Sequence, residues 1–493
     1  MATPAVPLPL HLGTDAQFAA LRAALATAGY TENAVCERLG FENISQFRLE
    51  GESHLKSEPD DVVGLLIWLL MECAPISPAG AAKIPMAELR ALKLVTPHPA
   101  KPGFSYSTAM LYPARGLYVT SDRIRPMDGA PPNLPEDFVY SGIVVNTSMF
   151  LNLVPFGACD AFLDLCCGSG IAALIAARNG ARHAWAFDLT ARSALCAEFN
   201  RRLNGIDNMT AGQGDLYEPG ADLTFDRIAV HPPYVPVYRP QFIFDSGGED
   251  GEQVVGRIIQ GLPRHLRPGG RFYALTMGTD REQPFEHRLR RWLGQAEAEF
   301  DVALVVRRTL TPEEYTTDSL VRKGGKLADI RDWKDLFKRL GVETLVYGFL
   351  MIQRRDRVRP VFTVRRQAGP RTTPGDHARL LEWETATVDG GLERMLGARP
   401  AAVADTRLHT EHRLVNGEWI PEVYRLEIDH PFSMSLRGQA WTTHLLACAD
   451  GSRTAVELLE KLKTDGALHP DTPPLEFVRM LAVLVSGGFL EVR

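Results

Sequence analysis

A nine-residue segment constrains the fold most strongly, and it reads Phe162-Leu163-Asp164-Leu165-Cys166-Cys167-Gly168-Ser169-Gly170. Residues 161–165 form an apolar run typical of a buried strand, and residues 171–178 have a helix-forming composition. Gly168 and Gly170 can adopt a positive φ and let a ligand approach the main chain closely. Unpaired N–H groups at the start of the helix favour a carboxylate or a phosphate. The segment therefore predicts a strand, a tight glycine turn and a helix, with a ligand at the turn.

Acidic residues follow two further segments downstream. Asp188 closes the apolar run 184–187, where it can accept hydrogen bonds from both hydroxyls of a ribose. Asp215 comes at the expected end of a third strand, and there we expect it to face the exocyclic amine of adenine. Residues 168–173 also fit the dinucleotide fingerprint Gly-x-Gly-x-x-Ala. A nicotinamide-dependent dehydrogenase therefore stays open at this point.

A second signature follows the fourth predicted strand. Residues 225–230 are predicted to form a fourth buried strand, which runs directly into His231-Pro232-Pro233-Tyr234. Two prolines end the strand, and the catalytic loops of open parallel sheets lie outside the carboxyl ends of the strands. These four residues are therefore candidates for contacting a substrate.

With both signatures in place, residues 140–280 resemble a class I, Rossmann-like methyltransferase of the group whose fourth motif is Asn-Pro-Pro-Tyr or Asn-Pro-Pro-Phe. That group includes release-factor glutamine methyltransferases, ribosomal-RNA guanine-N2 methyltransferases and adenine-N6 methyltransferases. Residues 245–252 resemble the Gly-Gly-x-Asp-Gly segment of glutamine and small-domain methyltransferases, and residues 266–272 resemble the turn before their fifth strand. The resemblance implies an α/β fold, a doubly wound, mostly parallel seven-stranded sheet, with S-adenosylmethionine as the cofactor.

The resemblance also implies which residues bind the cofactor. They are the residues of the glycine turn, the ribose acid and the adenine contact, namely Asp164, Cys166, Gly168, Gly170, Asp188 and Asp215. Cys166 departs from the family, because it stands where the first glycine usually lies and its Cβ restricts the approach of a ligand to the backbone.

The catalytic residues implied by the resemblance are His231, Pro232, Pro233 and Tyr234. In these enzymes the asparagine side-chain oxygen and the next proline carbonyl accept hydrogen bonds from the target amino group. Here His231 replaces that asparagine. It can position an amide or amine as asparagine does, because a neutral imidazole accepts one hydrogen bond. It can instead act as a general base, or mark a protein that keeps the cofactor and has lost transfer.

Length and composition predict a soluble multidomain enzyme. A chain of 493 residues is too long to fold around one hydrophobic core. Its content of 45% hydrophobic and 23% charged residues is that of an ordinary globular protein. Seven cysteines without a Cys-x-x-Cys pair indicate a reducing compartment and no structural zinc. The N-terminus lacks the features of a signal peptide, and the apolar run 62–71 is too short to span a membrane. We therefore expect a cytoplasmic location, no metal and no membrane association.

Three parts are predicted along the chain. Residues 1–130 form a helical, winged-helix-like domain, residues 131–356 the methyltransferase domain, and residues 357–493 a domain that ends in a winged-helix-like module. Helices are predicted in the first part at 15–28, 32–39 and 60–73, with paired strands at 105–113 and 116–121. In the last part they are predicted at 436–448, 455–462 and 474–486.

Two segments of the middle part have predicted contacts of their own. Residues 146–148 are expected to contact the methionine part of the cofactor. The charged segment 311–340 is expected to form a helical insertion that caps the substrate opening or packs as an ordinary surface helix.

The acceptor of the methyl group is left open by the sequence. The net charge of −6 gives no general attraction to nucleic acid. However, Arg354, Arg355, Arg357, Arg359, Arg365 and Arg366 form a strip that is either a surface ridge or a contact for RNA. The predicted function is N-methylation of a protein side-chain amide or an RNA base. The alternatives are a small-molecule N- or O-methyltransferase with His231 as base, and a non-catalytic scaffold that binds the cofactor. The oligomeric state is not predicted.

Overall fold

In the computed structural model, the described residues are 9–126, 134–237, 243, 247–323 and 327–492. The chain divides into two compact units. The first unit comprises residues 1–285 and 311–345, and the second comprises residues 286–310 and 346–493. The three-part division predicted from the sequence stays a prediction.

The N-terminal part of the first unit contains five helices and four short strands. They are α1 (Asp15–Thr27), α2 (Glu32–Leu39), α3 (Val62–Leu66), α4 (Pro78–Ala81), α5 (Met86–Ala91), β1 (Val95–Pro97), β2 (Ser105–Ser107), β3 (Met110–Ala114) and β4 (Leu117–Ser121). A π-helical turn, Ile67–Met71, continues α3. The predicted strand 105–113 is wrong as one element, because β2 pairs with β1 whereas β3 pairs with β4. The chain bends between them, where the amide of Thr108 donates to the carbonyl oxygen of Leu94 at 2.9 Å.

The rest of the first unit is built on a parallel sheet. Its elements are α6 (Val145–Leu153), β5 (Cys159–Leu165), α7 (Ile171–Arg178), β6 (Ala181–Asp188), α8 (Ala191–Leu203), β7 (Met209–Gln213), β8 (Phe225–Val230), α9 (Gln253–His265) and β9 (Leu266–Asp280). The five strands are parallel and lie in the order β9-β8-β5-β6-β7. The chain order reverses at β5, so a crevice opens outside the carboxyl ends of β5 and β8. The prediction of a Rossmann-like core is confirmed.

A helical insertion completes the first unit. Helix α10 (Phe285–Leu293) begins at the last residue of the first stretch of this unit and otherwise belongs to the second unit. The insertion itself forms α11 (Pro312–Lys323) and α12 (Leu327–Leu340). Tyr315 of α11 packs against Trp333 and Phe337 of α12, with ring centroids 5.4 and 5.7 Å from that of Tyr315. This aromatic cluster holds the two helices together, and the predicted helical character of the insertion is confirmed.

The second unit combines a mixed sheet with a group of helices. Its elements are β10 (Phe300–Leu310), β11 (Thr344–Arg354), β12 (Thr363–Ala368), α13 (Pro374–Ala386), α14 (Leu392–Arg394), β13 (Pro400–Ala402), β14 (Arg407–Val415), β15 (Glu418–Ile428), β16 (Phe432–Gly438), α15 (Ala440–Cys448), α16 (Ala455–Thr464), α17 (Pro474–Ser486) and β17 (Leu490–Val492). The sheet runs in the order β14-β15-β16-β12-β10-β11, and β13 pairs separately with β17. The predicted helix 436–448 is wrong at its start: Leu436 belongs to β16, and the capping box at Gln439 begins the helix at Ala440.

Five of the six arginines of the predicted strip are paired with carboxylates of their own unit, and Arg355 instead donates to the carbonyl oxygen of Arg359. Arg359 is buried and binds Asp301, with Nη1 and Oδ1 3.0 Å apart. The other ion pairs are Arg354–Glu299, Arg357–Asp389, Arg365–Glu286 and Arg366–Glu384. Because these charges are already compensated, the strip no longer supports contact with RNA. Across the described part of the chain, no helix combines the length and hydropathy needed to cross a bilayer.

Candidate functional site

The glycine turn between β5 and α7 has a backbone that few residues adopt. φ is +51° at Gly168 and +74° at Gly170. A Cβ added to Gly168 would meet no atom within 4 Å, whereas one added to Gly170 would lie 2.8 Å from the Cβ of Ala197. Gly168 therefore leaves room for a ligand against the main chain, and Gly170 allows the turn to pack on α8.

Cys166 adopts a left-handed backbone in the same turn, with φ of +58°. This conformation costs a residue with a Cβ about 1 kcal/mol. Burial, together with the negative charges of Asp188, Asp164 and Asp215, raises the pKa of the Cys166 thiol well above its ordinary value. The thiol is thus protonated at neutral pH and is a poor nucleophile.

Asp188 connects the end of β6 to the glycine turn. Its Oδ2 accepts a hydrogen bond from the Gly168 amide at 2.9 Å, and its Oδ1 accepts one from the Thr190 amide at 3.1 Å. Burial raises the pKa of Asp188, and these hydrogen bonds oppose that effect. The half-buried carboxylate therefore lies beside the open space at Gly168, as expected for the ribose acid.

Asp164 lies beneath the turn and is only 3% exposed. Its Oδ2 accepts a hydrogen bond from the amide of Ala173 in the first turn of α7, at 3.1 Å. Burial, reinforced by the negative charge of Asp188, raises the pKa of Asp164 to about 8. The carboxyl is therefore mainly protonated at pH 7 and stabilises the turn from inside.

The protonation of Asp164 gives a testable pH dependence of stability. The folded pKa of about 8 exceeds the ordinary pKa of an aspartate, 3.8, so the native state binds more protons than the unfolded state between these two values. The contribution of Asp164 to the free energy of unfolding is therefore largest at low pH. It decreases by about 1 kcal/mol per pH unit as the pH rises from the unfolded pKa to the folded pKa. Asp164→Asn removes the titration. We expect the wild-type free energy of unfolding to fall relative to that of the variant from pH 5 to 8.

Urea unfolding at a series of pH values measures this difference. The control is Asp160→Asn, at an exposed position of the same strand. Parallel stability curves for the wild type and Asp164→Asn would show that Asp164 is ionised in the folded protein.

Asp215 follows β7. A main-chain hydrogen bond of the preceding residue, Gly214, holds it close to Asp188 and the glycine turn. The amide of Gly214 donates to the carbonyl oxygen of Asp188 at 2.9 Å. The Asp215 Oδ2 accepts a hydrogen bond from Arg257 of α9 at 2.6 Å. Arg257 was not predicted from the sequence, and it holds the half-buried carboxylate of Asp215 at the carboxyl end of the sheet.

His231 lies directly after β8, and aromatic rings hold its imidazole. The ring stacks on Phe150 with a centroid distance of 5.4 Å and an interplanar angle of 20°, and it lies 5.7 Å from the ring of Tyr234. Within the described ranges, neither of its ring nitrogens has a hydrogen-bond partner. Burial lowers the pKa of His231 to about 4. A neutral imidazole therefore offers one donor and one acceptor to a ligand.

Helix α6 positions His231 and Tyr234, the two ring-bearing residues of the loop after β8. Asn146 Nδ2 donates to the hydroxyl of Tyr234 at 3.3 Å, and Phe150, one turn later, stacks on His231. The predicted contact of residues 146–148 with the cofactor stays a prediction. Phe150 was missed by sequence reasoning, although its spacing of four residues from Asn146 places both on one face of a helix.

The two prolines of the signature continue the loop, with Pro232 buried and Pro233 half-buried. A glycine-rich segment supports this loop from the other side. The amide of Gly247 donates to the Val235 carbonyl at 3.2 Å, and the amide of Val237 donates to the Gly248 carbonyl at 3.0 Å. A Cβ at Gly251 would overlap the carbonyl oxygen of Tyr234. Asp245 and Ser246 of the same resemblance lie outside the described residues.

The helical insertion contacts the same loop. The hydroxyl of Tyr315 in α11 donates to the Pro236 carbonyl at 3.3 Å, and Arg339 of α12 pairs with Glu249 at 2.9 Å. The insertion therefore lies beside the end of the His-Pro-Pro-Tyr segment, where a cap over the substrate opening would have to be.

Asn200 is a further residue of the site that sequence reasoning missed. It is fully buried on α8. Its Nδ2 donates to the Ser169 carbonyl of the glycine turn at 2.9 Å, and its Oδ1 accepts from the Thr120 amide of β4 at 2.7 Å. Asn200 thus links the N-terminal strands to the glycine turn. No pattern in the sequence distinguishes it from other polar residues of a helix.

One group of potential metal ligands lies in the second unit. His444, Cys448 and Asp465 bring ligand atoms within 4.8 Å of one another. Asp465 Oδ2 already lies 2.7 Å from both His444 Nε2 and Lys461 Nζ. Since the ammonium group neutralises the charge that a cation would need, we assign no metal site here.

Comparison with known proteins identifies the middle of the chain. A family model described as the methyltransferase small domain matches residues 133–301. These residues form a methyltransferase small domain. The match covers both the glycine turn and the His-Pro-Pro-Tyr loop, and the dehydrogenase alternative is wrong for this domain.

Curated relatives of this methyltransferase domain include glutamine methyltransferases. A ribosomal protein uL3 glutamine methyltransferase of Bradyrhizobium diazoefficiens is 37% identical over 126 residues, which are 23% of this chain and 39% of that protein. A putative protein N5-glutamine methyltransferase of Methanocaldococcus jannaschii is 31% identical over 115 residues, 22% of this chain and 57% of that protein. A uL3 glutamine methyltransferase of Bordetella pertussis is 31% identical over 163 residues, 30% of this chain and 54% of that protein.

The matched stretches thus span about 39–57% of the length of these relatives. Together with the family match, they place the domain in the class I, S-adenosylmethionine-dependent group that also contains the release-factor glutamine methyltransferases.

Proposed function

We propose that this chain transfers a methyl group from S-adenosylmethionine to the side-chain amide nitrogen of a protein. The observation that carries the proposal is the position of His231 at the carboxyl end of β8, next to the strand whose end forms the open glycine turn. Among the described residues its imidazole has no hydrogen-bond partner, and burial lowers its pKa to about 4. The relatives named above as protein glutamine methyltransferases support glutamine as the acceptor.

The residues of the glycine turn fit the cofactor. Gly168 would admit it to the main chain, Asp188 would bind its ribose and Asp215 its adenine. The first amides of α7 would bind its carboxylate. When bound, S-adenosylmethionine supplies a methyl group on a positively charged sulfonium. Cys166 would line the turn without reacting, because its thiol is protonated.

His231 would position the acceptor nitrogen instead of removing a proton before transfer. A group with a pKa of about 4 is a weak base at neutral pH, where a general base works best with a pKa near the pH of the reaction. Its unprotonated nitrogen can accept a hydrogen bond from an amide N–H as an asparagine oxygen does. Pro232 would supply the second acceptor through its carbonyl. Holding the nucleophile in line then supplies much of the rate.

Phe150, Asn146 and Tyr234 would keep that geometry. Phe150 fixes the plane of the imidazole by stacking, and the hydrogen bond from Asn146 holds the hydroxyl of Tyr234. Pro233 restricts the backbone between them. The reaction centre would thus be aligned by packing against α6 and by the close main-chain contacts of Gly247 and Gly251.

Labelling of a lysate tests the acceptor class. The purified chain is incubated with cell lysate and cofactor carrying a radioactive methyl group, and the product is treated with protease or nuclease. We expect protease to release the label from the macromolecular fraction, and acid-free digestion to yield methylated glutamine. His231→Ala is the control for label added by other enzymes. Label released by nuclease, or label found only in small molecules, would contradict the proposal, and so would tight cofactor binding without transfer.

We also propose the finer organisation expected from the sequence. The parallel order of the five strands of the first unit supports the seven-stranded sheet expected for a class I methyltransferase. The N-terminal helices with the β3–β4 pair, and helices α15 to α17 with the β13–β17 pair, support winged-helix-like modules at both ends. A cytoplasmic location remains part of the proposal.

A further inference from the structure

A cavity of about 710 Å³ lies within the second unit. It is formed by α13, the start of β16, the end of α17 and β17. Apolar side chains make up much of its wall, chiefly Leu380, Trp383, Phe432, Val485 and Leu490. We call it the β17 groove. Its size and apolar wall suit several side chains of a ligand.

The edge of a strand lines this groove. All three residues of β17, Leu490–Val492, contribute to the wall. Successive side chains of a strand point to opposite faces, so a groove that meets three consecutive residues runs along the edge of the strand. Among the described residues, β17 pairs only with β13 in a two-stranded sheet. Its other edge is therefore available to pair with a further strand.

Two polar atoms of the groove residues have no hydrogen-bond partner among the residues that the structure describes. They are Trp383 Nε1 and His430 Nδ1, which are buried and belong to residues that line the groove. Buried polar groups in folded proteins are nearly always hydrogen-bonded, so such atoms call for a partner. A peptide backbone carries both the carbonyl oxygen and the amide that these atoms would need.

The rim of the groove is acidic. Glu382 and Glu491 are exposed, and neither forms an ion pair within the described part of the chain. The nearby guanidinium of Arg379 is already paired with Asp376. The free charge at the rim is therefore negative and would attract a basic side chain.

We propose that the β17 groove binds an extended segment of a partner protein in which apolar residues alternate with lysine or arginine. The segment adds a strand to the free edge of β17, and alternate apolar side chains enter the groove. Its basic side chains point outward to Glu382 and Glu491. This binding goes beyond the proposed methyl transfer and does not depend on it, because no residue of the glycine turn or of the His-Pro-Pro-Tyr loop takes part.

Fluorescence anisotropy of the full chain tests the proposal. The probe is a fluorescein-labelled nine-residue peptide in which valine and lysine alternate. A second peptide has glutamate in place of lysine. We expect saturable binding of the lysine peptide and at least about tenfold weaker binding of the glutamate peptide, which corresponds to the loss of favourable charge pairing. Equal binding of both peptides, or no saturable binding, would overturn the proposal.

Charge-reversed variants locate the binding. The double variant Glu382→Lys, Glu491→Lys should weaken binding of the lysine peptide about tenfold or more. Glu418→Lys, at the exposed first residue of β15, is the matched control and should bind as the wild type does. Equal loss in the control variant would place the binding elsewhere.

Hydrogen exchange then tests the mode of binding in the wild-type chain. We expect the lysine peptide to slow amide exchange in residues 490–492, because a paired strand edge exchanges slowly. Binding without protection of these amides would contradict strand addition even if the charge effects were found. Since this measurement and the peptide comparison use the wild type, a variant that fails to fold does not affect them.

Discussion

The Gly168→Val substitution is expected to weaken binding of S-adenosylmethionine at least about 100-fold while the chain stays folded. A Cβ at Gly168 would meet no atom of the protein within 4 Å, so the added side chain would fill only the open space beside the turn. That space is where the cofactor would approach the main chain. Loss of this contact removes about 3 kcal/mol or more of binding free energy.

The backbone of Gly168 needs a control of its own, because φ is +51° there and valine disfavours that conformation. Gly29→Val is matched to it, since Gly29 has φ of +68° and also has no atom within 4 Å of an added Cβ. Both variants should lose about 1–2 kcal/mol of stability through backbone strain. Only Gly168→Val should lose cofactor binding by calorimetry. Unchanged affinity in Gly168→Val would place the cofactor elsewhere.

The second large effect is expected at His231. His231→Ala should lower methyl transfer about 100-fold or more, because a misplaced acceptor loses the in-line geometry. His231→Asn should stay within about tenfold of the wild type, since an amide oxygen can accept the same hydrogen bond. Both variants should bind the cofactor normally, because His231 belongs to the loop after β8, whereas the glycine turn follows β5.

Transfer is measured as label incorporated into the lysate fraction at a series of pH values. With a pKa of about 4, His231 stays neutral above pH 6, so the wild-type rate should not change through its titration between pH 6 and 8. Near-complete loss in both variants, or a rate that rises through an apparent pKa of 6 to 7, would indicate a general base instead.

The main elements of the site were predictable because each depends on neighbouring residues. The glycine turn, β8 and the proline loop form continuous stretches of sequence whose apolar runs and turn residues indicate their structure. Helix α2, Glu32–Leu39, begins and ends where predicted, because Thr31 caps its start and Gly40 ends it with φ of 70°.

What could not be predicted depends on contacts between distant parts of the chain. Phe150 stacks on His231, which lies 81 positions later in the chain. Asn200 is hydrogen-bonded to Thr120, which lies 80 positions earlier. The β14–β15 hairpin was missed because its strands are exposed over most of their length and lack an apolar run. The arginine strip was ambiguous because partners such as Asp301 lie 58 residues from the arginine they bind.

The close approach of Gly247 and Gly251 to the main chain at Tyr234 has a consequence for how the acceptor preference of such an enzyme can change. A Cβ at Gly247 would lie 2.9 Å from the carbonyl carbon of Tyr234, so neither of these two glycine positions can accept a side chain. A change of the preferred acceptor must then come from substitutions at neighbouring residues whose side chains face the substrate. His231, at the position where the resembling methyltransferases have asparagine, is a change of that kind.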